Sequence, residues 1–220
     1  MTRDEIKKKL NSVSPDTENA VELSSMLIFD EVGWEIIYAE HEVDGDPTLL
    51  GRSHQGEVIL DRYLFEAIKD LNPDLPDDAF TQAKDELARD RSAMSLAKAN
   101  QQIYKLLKEG VKVTYRDSDG VQQTERVKLI NWNAPEQNQF TLVSQMWVNG
   151  EMYRKRPDLI GFINGIPLLF MELKAPDVNL RHAFNDNLRD YKDTIPHLLW
   201  YNGIVLLSNG REAKAGSVTA

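Results

Sequence analysis

Two periods of apolar residues run along the chain and predict where it turns from helix to strand. Residues 15–30, "PDTENAVELSSMLIFD", carry Val21, Met26, Leu27 and Phe29 at helical spacing, behind Asp16 or Thr17 as an N-cap. Gly33 closes that helix, and "WEIIYAEHEV" then reads as a strand. A turn-rich stretch over residues 44–56 leads to a second helix, residues 59–71. The two-proline connector "NPDLPDD", residues 72–78, opens a long amphipathic helix over 79–108, and Gly110 stands where its C-cap belongs.

Beyond Gly110 the period shortens to that of strands. "VKVTY" and "TERVKLINW" flank the turn "RDSDG". "FTLVSQMWV" and "EMYRKRPDLIGFI" flank Asn149-Gly150, the strongest short hairpin signal in the chain. Asn164-Gly165 leads into "LLFMELK"; an amphipathic helix over 179–192 and an apolar strand, "GIVLLSNG", follow. The order strand, strand, strand, helix, strand, with the first helix packed beside it, predicts an α+β (mixed α/β) domain over residues 1–220. Its expected core is a central mixed sheet flanked by helices.

Ionised residues interrupt the most apolar part of this pattern. Asp158 lies in "RPDLIGFI", and Glu172 and Lys174 lie in "PLLFMELK". Charges are costly in an apolar sheet unless something pairs with them. Glu172 and Lys174 share one face of their strand, because side chains alternate. Asp158 joins them only in certain registers. A two-residue Asn164-Gly165 loop sets Asp158 opposite Met171, on the wrong face. A three-residue loop, or a bulge in one strand, sets it opposite Glu172. Carboxylates that face each other, with Cβ atoms about 4.5–5.5 Å apart, repel unless a cation lies between them. A hard divalent ion such as Mg²⁺ takes oxygen ligands of this kind, and a neighbouring lysine would hold a water or stabilise charge developing on a phosphate. The same residues also read as an edge-strand ion pair reaching water, with Asp158 a strand-end residue after proline.

Composition narrows the chemistry. There is no cysteine, so disulfides and thiolate metal sites are excluded, and His41, His54, His182 and His197 are too widely spaced for a zinc-type pair. The opening "MTRDEIKKKLNS" has no apolar leader core, and no apolar run approaches the roughly eighteen residues of a membrane span. A cytoplasmic protein is expected, with no membrane partner. The net charge of −9 argues against tight autonomous DNA binding, which usually needs a basic surface.

Pro157-Asp158 followed by Glu172-Leu173-Lys174 resembles the PD-(D/E)xK nucleases. More closely, "RPDLIGFINGIPLLFMELKAP" resembles the amino-terminal domain of the R (restriction) subunit of type I restriction-modification enzymes. "TENAVE", "LNPDLPDDAFTQA", "ANQQIYKLLKEGV" and "LSNG" extend the likeness over most of the chain.

The resemblance implies a restriction-endonuclease-like core with an inserted helical and β segment over roughly residues 38–138. It implies a Mg²⁺-dependent DNA endonuclease in which Asp158 and Glu172 are ligands, the Leu173 carbonyl adds another, and Lys174 assists the attacking water. Glu18 matches a helix glutamate near the metal in related nucleases; it reads equally as a first-turn acid favoured by the helix dipole. The family's Gln-x-x-x-Tyr element is met by Asn187 and Tyr191, with the amide one methylene shorter. Tyr191 also reads as core packing. Arg154, Lys155, Arg156, Arg189 and Lys192 are candidates for phosphate contact, or solvated edges.

The resemblance further implies DNA as substrate, modification (M) and specificity (S) subunits as partners, and an ATP-driven translocase beyond Ala220. Only the full-length subunit would use ATP, since "GREAKAGS" lacks the lysine and spacing of a phosphate-binding loop. The closing "GSVTA" reads as a boundary or a point where order stops. A non-catalytic docking module with a nuclease fold, or a stand-alone repair nuclease, are the alternatives.

Overall fold

The computed structural model describes residues 1–43, 45–46 and 48–218, with the backbone alone for residues 182, 183 and 186. Two residues of the turn-rich stretch and the last two of "GSVTA" therefore lie outside the described residues.

The chain opens with a helix that the apolar pattern does not announce, α1 (Arg3–Leu10). Thr2 and Glu5 form a reciprocal capping box at its start. Ile6 is its one buried residue; it packs against Val21, Leu23 and Met26 of α2 (Glu18–Glu31) and is worth about 1.5–3 kcal/mol to the docking of α1. Of the two proposed caps for α2, Thr17 serves, accepting from the Ala20 amide at 3.2 Å. β1 (Glu35–Tyr38) follows Gly33 but is shorter than expected.

The segment between β1 and the next sheet strand holds α3 (Asp61–Leu71), α4 (Asp77–Ala88), α5 (Leu96–Glu109) and a two-stranded ribbon, β2 (Val111–Arg116) with β3 (Gln122–Val127). The long helix expected over residues 79–108 is two helices. Arg91, 1% exposed, breaks it by donating to the carbonyls of Leu87 and Glu86 at the end of α4. Ser95 then caps α5.

β4 (Phe140–Ser144) and β7 (Leu159–Ile163) pair antiparallel, but Asn149-Gly150 is not their two-residue turn. The backbone leaves β4 at Gln145 (φ 60) and makes a separate small ribbon, β5 (Val148–Asn149) with β6 (Arg154–Lys155), joined by residues 150–153. β7 then pairs with β8 (Ile166–Leu173) across Asn164 (φ 52) and Gly165 (φ 75), a two-residue turn. Gly165 is required there: a Cβ would lie 2.6 Å from the Leu60 carbonyl oxygen.

After β8 come α6 (Leu180–His182), a π-helical turn at Ala183–Leu188, α7 (Arg189–Thr194), α8 (Pro196–Leu199), β9 (Ile204–Ser208) and β10 (Ala213–Gly216). The single helix expected over 179–192 is thus interrupted. "GREAKAG" contributes β10, which ends at Gly216, the first residue of "GSVTA".

The main sheet has the order β1-β4-β7-β8-β9-β10 and is mixed, with β1–β4 and β8–β9 parallel and the other pairs antiparallel. Helices cover both faces. Leu142, Leu159, Met171 and Leu173 meet α1 and α2 on one side. Val143, Ile160, Phe162 and Phe170 meet the core of α3–α5, α7 and α8 on the other. This is the expected mixed α+β architecture, and it explains why β8, buried on both faces, reads as one apolar run. Among the described residues no helix is long and apolar enough to cross a membrane.

Candidate functional site

A register shift brings the acids together. β7 and β8 pair as Phe162 with Pro167 and then Gly161 with Leu169, so Leu168 is an extra residue in β8. Gly161 makes this bulge possible, since a Cβ there would meet Leu169 Cβ at 2.8 Å. Ile160 then faces Phe170 and Leu159 faces Met171. One step further, Asp158 is level with Glu172. Of the two ways to align them that the sequence left open, the protein uses the bulge and keeps the short loop.

Asp158 follows Pro157 at the head of β7, and its Oδ2 accepts from the Leu173 amide at 2.7 Å. Glu172 is 2% exposed, and its Oε2 is buried with no hydrogen-bond partner. Its Oε1 accepts from Asn187 Nδ2 and, at 3.1 Å, from Lys174 Nζ. Lys174 also donates to the Leu173 carbonyl at 2.9 Å and lies 3.5 Å from Glu18 Oε2. Asp158, Glu172, Lys174, the Leu173 carbonyl, Glu18 and Asn187 therefore meet in one place.

Tyr191 lies beside them, buried edge-on against Phe170 at 5.4 Å between ring centres. The π-helical turn carries Asn187 toward Glu172 just ahead of α7, so the amide and the tyrosine reach the same groove. Arg189 is exposed and does not line the groove, Lys155 pairs with Asp190 at 2.7 Å, and Lys192 rests over Phe184.

The electrostatics follow from this crowding. Burial, and then the Glu172 charge, push Asp158 up to about 8 against the help of the Leu173 amide. Burial likewise raises Glu172, although Lys174 and Asn187 oppose it. Burial works against the Lys174 ammonium, but Glu172, Glu18 and Asp158 outweigh it and hold its pKa above the usual lysine value. Both carboxyls are thus held above the usual carboxylate range, chiefly by burial.

The sequence reading overlooked Glu22. It is 8% exposed on α2 and accepts from Ser144 Oγ at 2.6 Å and from the Gln145 side-chain amide at 2.8 and 2.9 Å. Burial raises its pKa against those two donors. Its signal was present in "TENAVE", where Glu22 lies one helical turn beyond Glu18 on the same face. Among the described residues no three His, Cys, Asp or Glu side chains stand close enough to hold a metal alone. A cation here would rest on Asp158 and Glu172, with waters and the Leu173 carbonyl completing its shell, as Mg²⁺ tolerates.

These residues line an open groove of about 760 Å³ between α1, α2, Tyr38 at the end of β1, Gln145, Arg156 and the π-helical turn.

Residues 15–220 match the family described as the type I restriction enzyme R protein N terminus. The chain is 35% identical over 210 residues to the type I restriction enzyme HindI endonuclease subunit of Haemophilus influenzae, a match covering 92% of the chain and 19% of that protein. It is 31% identical over 225 residues to the putative type I restriction enzyme MjaIXP endonuclease subunit of Methanocaldococcus jannaschii, covering 99% and 20%. A shorter match, 33% over 78 residues, covers 36% of the chain and 8% of the type I restriction enzyme SsaAORF53P endonuclease subunit of Staphylococcus saprophyticus. The chain thus spans about a fifth of the length of the first two of these relatives, 19% and 20%.

Proposed function

The chain belongs to the family of type I restriction enzyme R protein N termini, and from that premise we propose that its groove is the DNA-cleaving site of such an enzyme. The observation that carries the reading is the alignment of Asp158 with Glu172 by the β8 bulge, beside Lys174. A fold has no packing reason to bury two facing carboxylates at this cost.

The donor set fits a divalent cation, Mg²⁺ in this proposal. Glu172 Oε2 is buried without a partner, and the two carboxyls retain a proton that a cation would displace. Asp158, Glu172 and the Leu173 carbonyl would hold the ion. When bound, it would supply charge neutralisation and lower the pKa of a water near the scissile phosphate.

The chain's own residues do the rest. The Leu173 amide fixes Asp158, and Asn187 fixes Glu172 Oε1, so neither carboxylate needs to reorganise. Lys174, freed from the Leu173 carbonyl, would hold the attacking water or donate to a phosphate oxygen. Glu22, with Ser144 and Gln145, gives the groove a further acid for positioning water. Tyr191 walls the site through its packing on Phe170.

In this reading the chain is one nuclease domain, with residues 38–138 inserted into the fold. Translocase domains using ATP, and modification and specificity subunits, would belong to the complete enzyme. Delivery of DNA by those parts would reconcile a net charge of −9 with a DNA substrate. The test is the complete enzyme with Lys174→Ala, followed for ATP hydrolysis and DNA cleavage in one Mg²⁺ buffer. Cleavage should fall about 10²–10³-fold, the usual cost of losing one donor to developing charge, with ATP hydrolysis intact. Unimpaired cleavage would make the lysine structural and move the chemistry elsewhere.

A further inference from the structure

The outer end of the groove holds two cations that the cutting chemistry does not use. Lys9, in the last turn of α1, rests over the Tyr38 ring with Nζ 4.2 Å from its centre. Arg156, next to β6, stacks on Trp147 at 5.1 Å, and Arg154 stacks on the same ring at 4.0 Å. Lys9, Tyr38 and Arg156 all line the groove that contains Asp158 and Glu172. Among the described residues, neither Lys9 nor Arg156 has a carboxylate within salt-bridge distance.

Both cations nevertheless converge on one region. The hydroxyl of Tyr38 donates to Glu40 and lowers that exposed carboxyl, and His41, Arg156 and Lys9 lower it further. Burial, and then Glu40, push Tyr38 up to about 12, so it remains a neutral donor between the two cations. α1 is held in place by the buried Ile6, by the amino terminus donating to the Ile36 carbonyl at 2.9 Å, and by Arg3 bridging to Asp30 at 3.2 Å. The ring contacts hold the two cations in place ahead of any ligand, so less side-chain entropy is lost on binding.

We propose that Lys9 and Arg156, flanking Tyr38, form a seat for a backbone phosphate of the DNA strand next to the cut. This rests on the reading of the groove as a DNA-cleaving site. Inside the groove Asp158, Glu172, Glu22 and Glu18 repel a polyanion; the seat supplies compensating attraction a short way along the strand. Arg156 offers a planar fork and Lys9 a point charge, a pairing that suits one phosphate group without reading its base. Glu40 is the built-in competitor. α1 precedes residue 15, where the family match begins, so this wall of the groove lies outside the matched region.

The test uses the complete enzyme. Ser12, exposed beside Lys9 on the groove wall, is replaced by a photoreactive phenylalanine analogue in a Lys174→Ala background, and the enzyme is illuminated on DNA with ATP. A DNA adduct is expected, and it should fall with Lys9→Gln/Arg156→Gln. Separately, cleavage per ATP hydrolysed is followed from 50 to 200 mM salt in enzyme carrying Lys174. One phosphate neutralised, at a slope of about 0.9, makes the wild type lose about 3.5-fold more than the double variant over that range. Glu40→Gln should shift cleavage the opposite way, upward.

No adduct, or parallel salt curves, would overturn the seat. Cleavage that survives Lys174→Ala alongside a normal Ser12 adduct would overturn the cutting chemistry and leave the seat standing, so the two failures are told apart.

Discussion

Replacing Asp158 with Asn, which keeps an oxygen for the Leu173 amide, removes the acid whose ionisation the fold resists most. Its pKa is pushed from 3.8 to about 8. The folded chain therefore holds a proton that the unfolded chain has released, over the window from about pH 4 to about pH 8. Where the folded state binds more protons, stability falls as pH rises. Each unit costs about 1.4 kcal/mol, so this one carboxyl removes about 4 kcal/mol between pH 4 and pH 7, and the loss is complete once pH passes the folded value. Glu172, raised in the same direction chiefly by burial, adds to the slope.

Urea unfolding of the 220-residue chain in chelator, at several values from pH 4 to pH 8.5, reads this directly. The wild type should weaken across that range more steeply than Asp158→Asn, which keeps the contributions of Glu172 and Glu22 but becomes the more stable protein by several kcal/mol at the alkaline end. Mg²⁺ should then restore the wild type alone, by about 2.7 kcal/mol at a hundredfold excess over its dissociation constant. Parallel pH curves for the two proteins would refute the argument that these acids confront one another in a water-poor site.

Two further outcomes follow from the framework around the site. Gly165→Ala forces a Cβ against the Leu60 carbonyl and the Leu64 amide at positive φ, and should lower stability by about 1–3 kcal/mol in thermal unfolding while leaving the turn otherwise unchanged. Glu42→Ala strands Arg52, which is 2% exposed and also holds the Trp147 carbonyl at 2.9 Å; a loss of about 3–5 kcal/mol is expected, and replacing both partners with apolar residues should cost much less.

The sheet was legible because its strands are buried in ways that leave a period, as in "FTLV" and "PLLFMEL". The helix break at residues 89–95 was not, because it depends on the Arg91 guanidinium turning back onto α4 carbonyls, a contact with no periodic trace. Ser95, which caps α5, was the local signal available for it. Asn149-Gly150 misled for a different reason: Gln145, held by Glu22, turns the backbone out of β4 before the dipeptide is reached. In the site, Asp158, Glu172 and Lys174 stood out as charges within apolar runs. Glu22 did not, because Val21 and Leu23 on either side made it look like the polar position of an ordinary amphipathic helix. The π-helical turn that delivers Asn187 follows from packing against β8 and leaves no mark in the apolar spacing.

The bulge at Leu168 has a consequence for how this hairpin can change length. Five residues, 159–163, separate Asp158 from the turn on one arm, and six, 166–171, separate the turn from Glu172 on the other. Loss of one residue from β8 would even the arms, abolish the bulge and leave the two acids level. Loss of one residue from β7 would leave a mismatch of two, which a single bulge cannot absorb. Insertions and deletions are therefore filtered unequally on the two strands: β8 carries the slack, and β7 can drift in length only if β8 drifts with it.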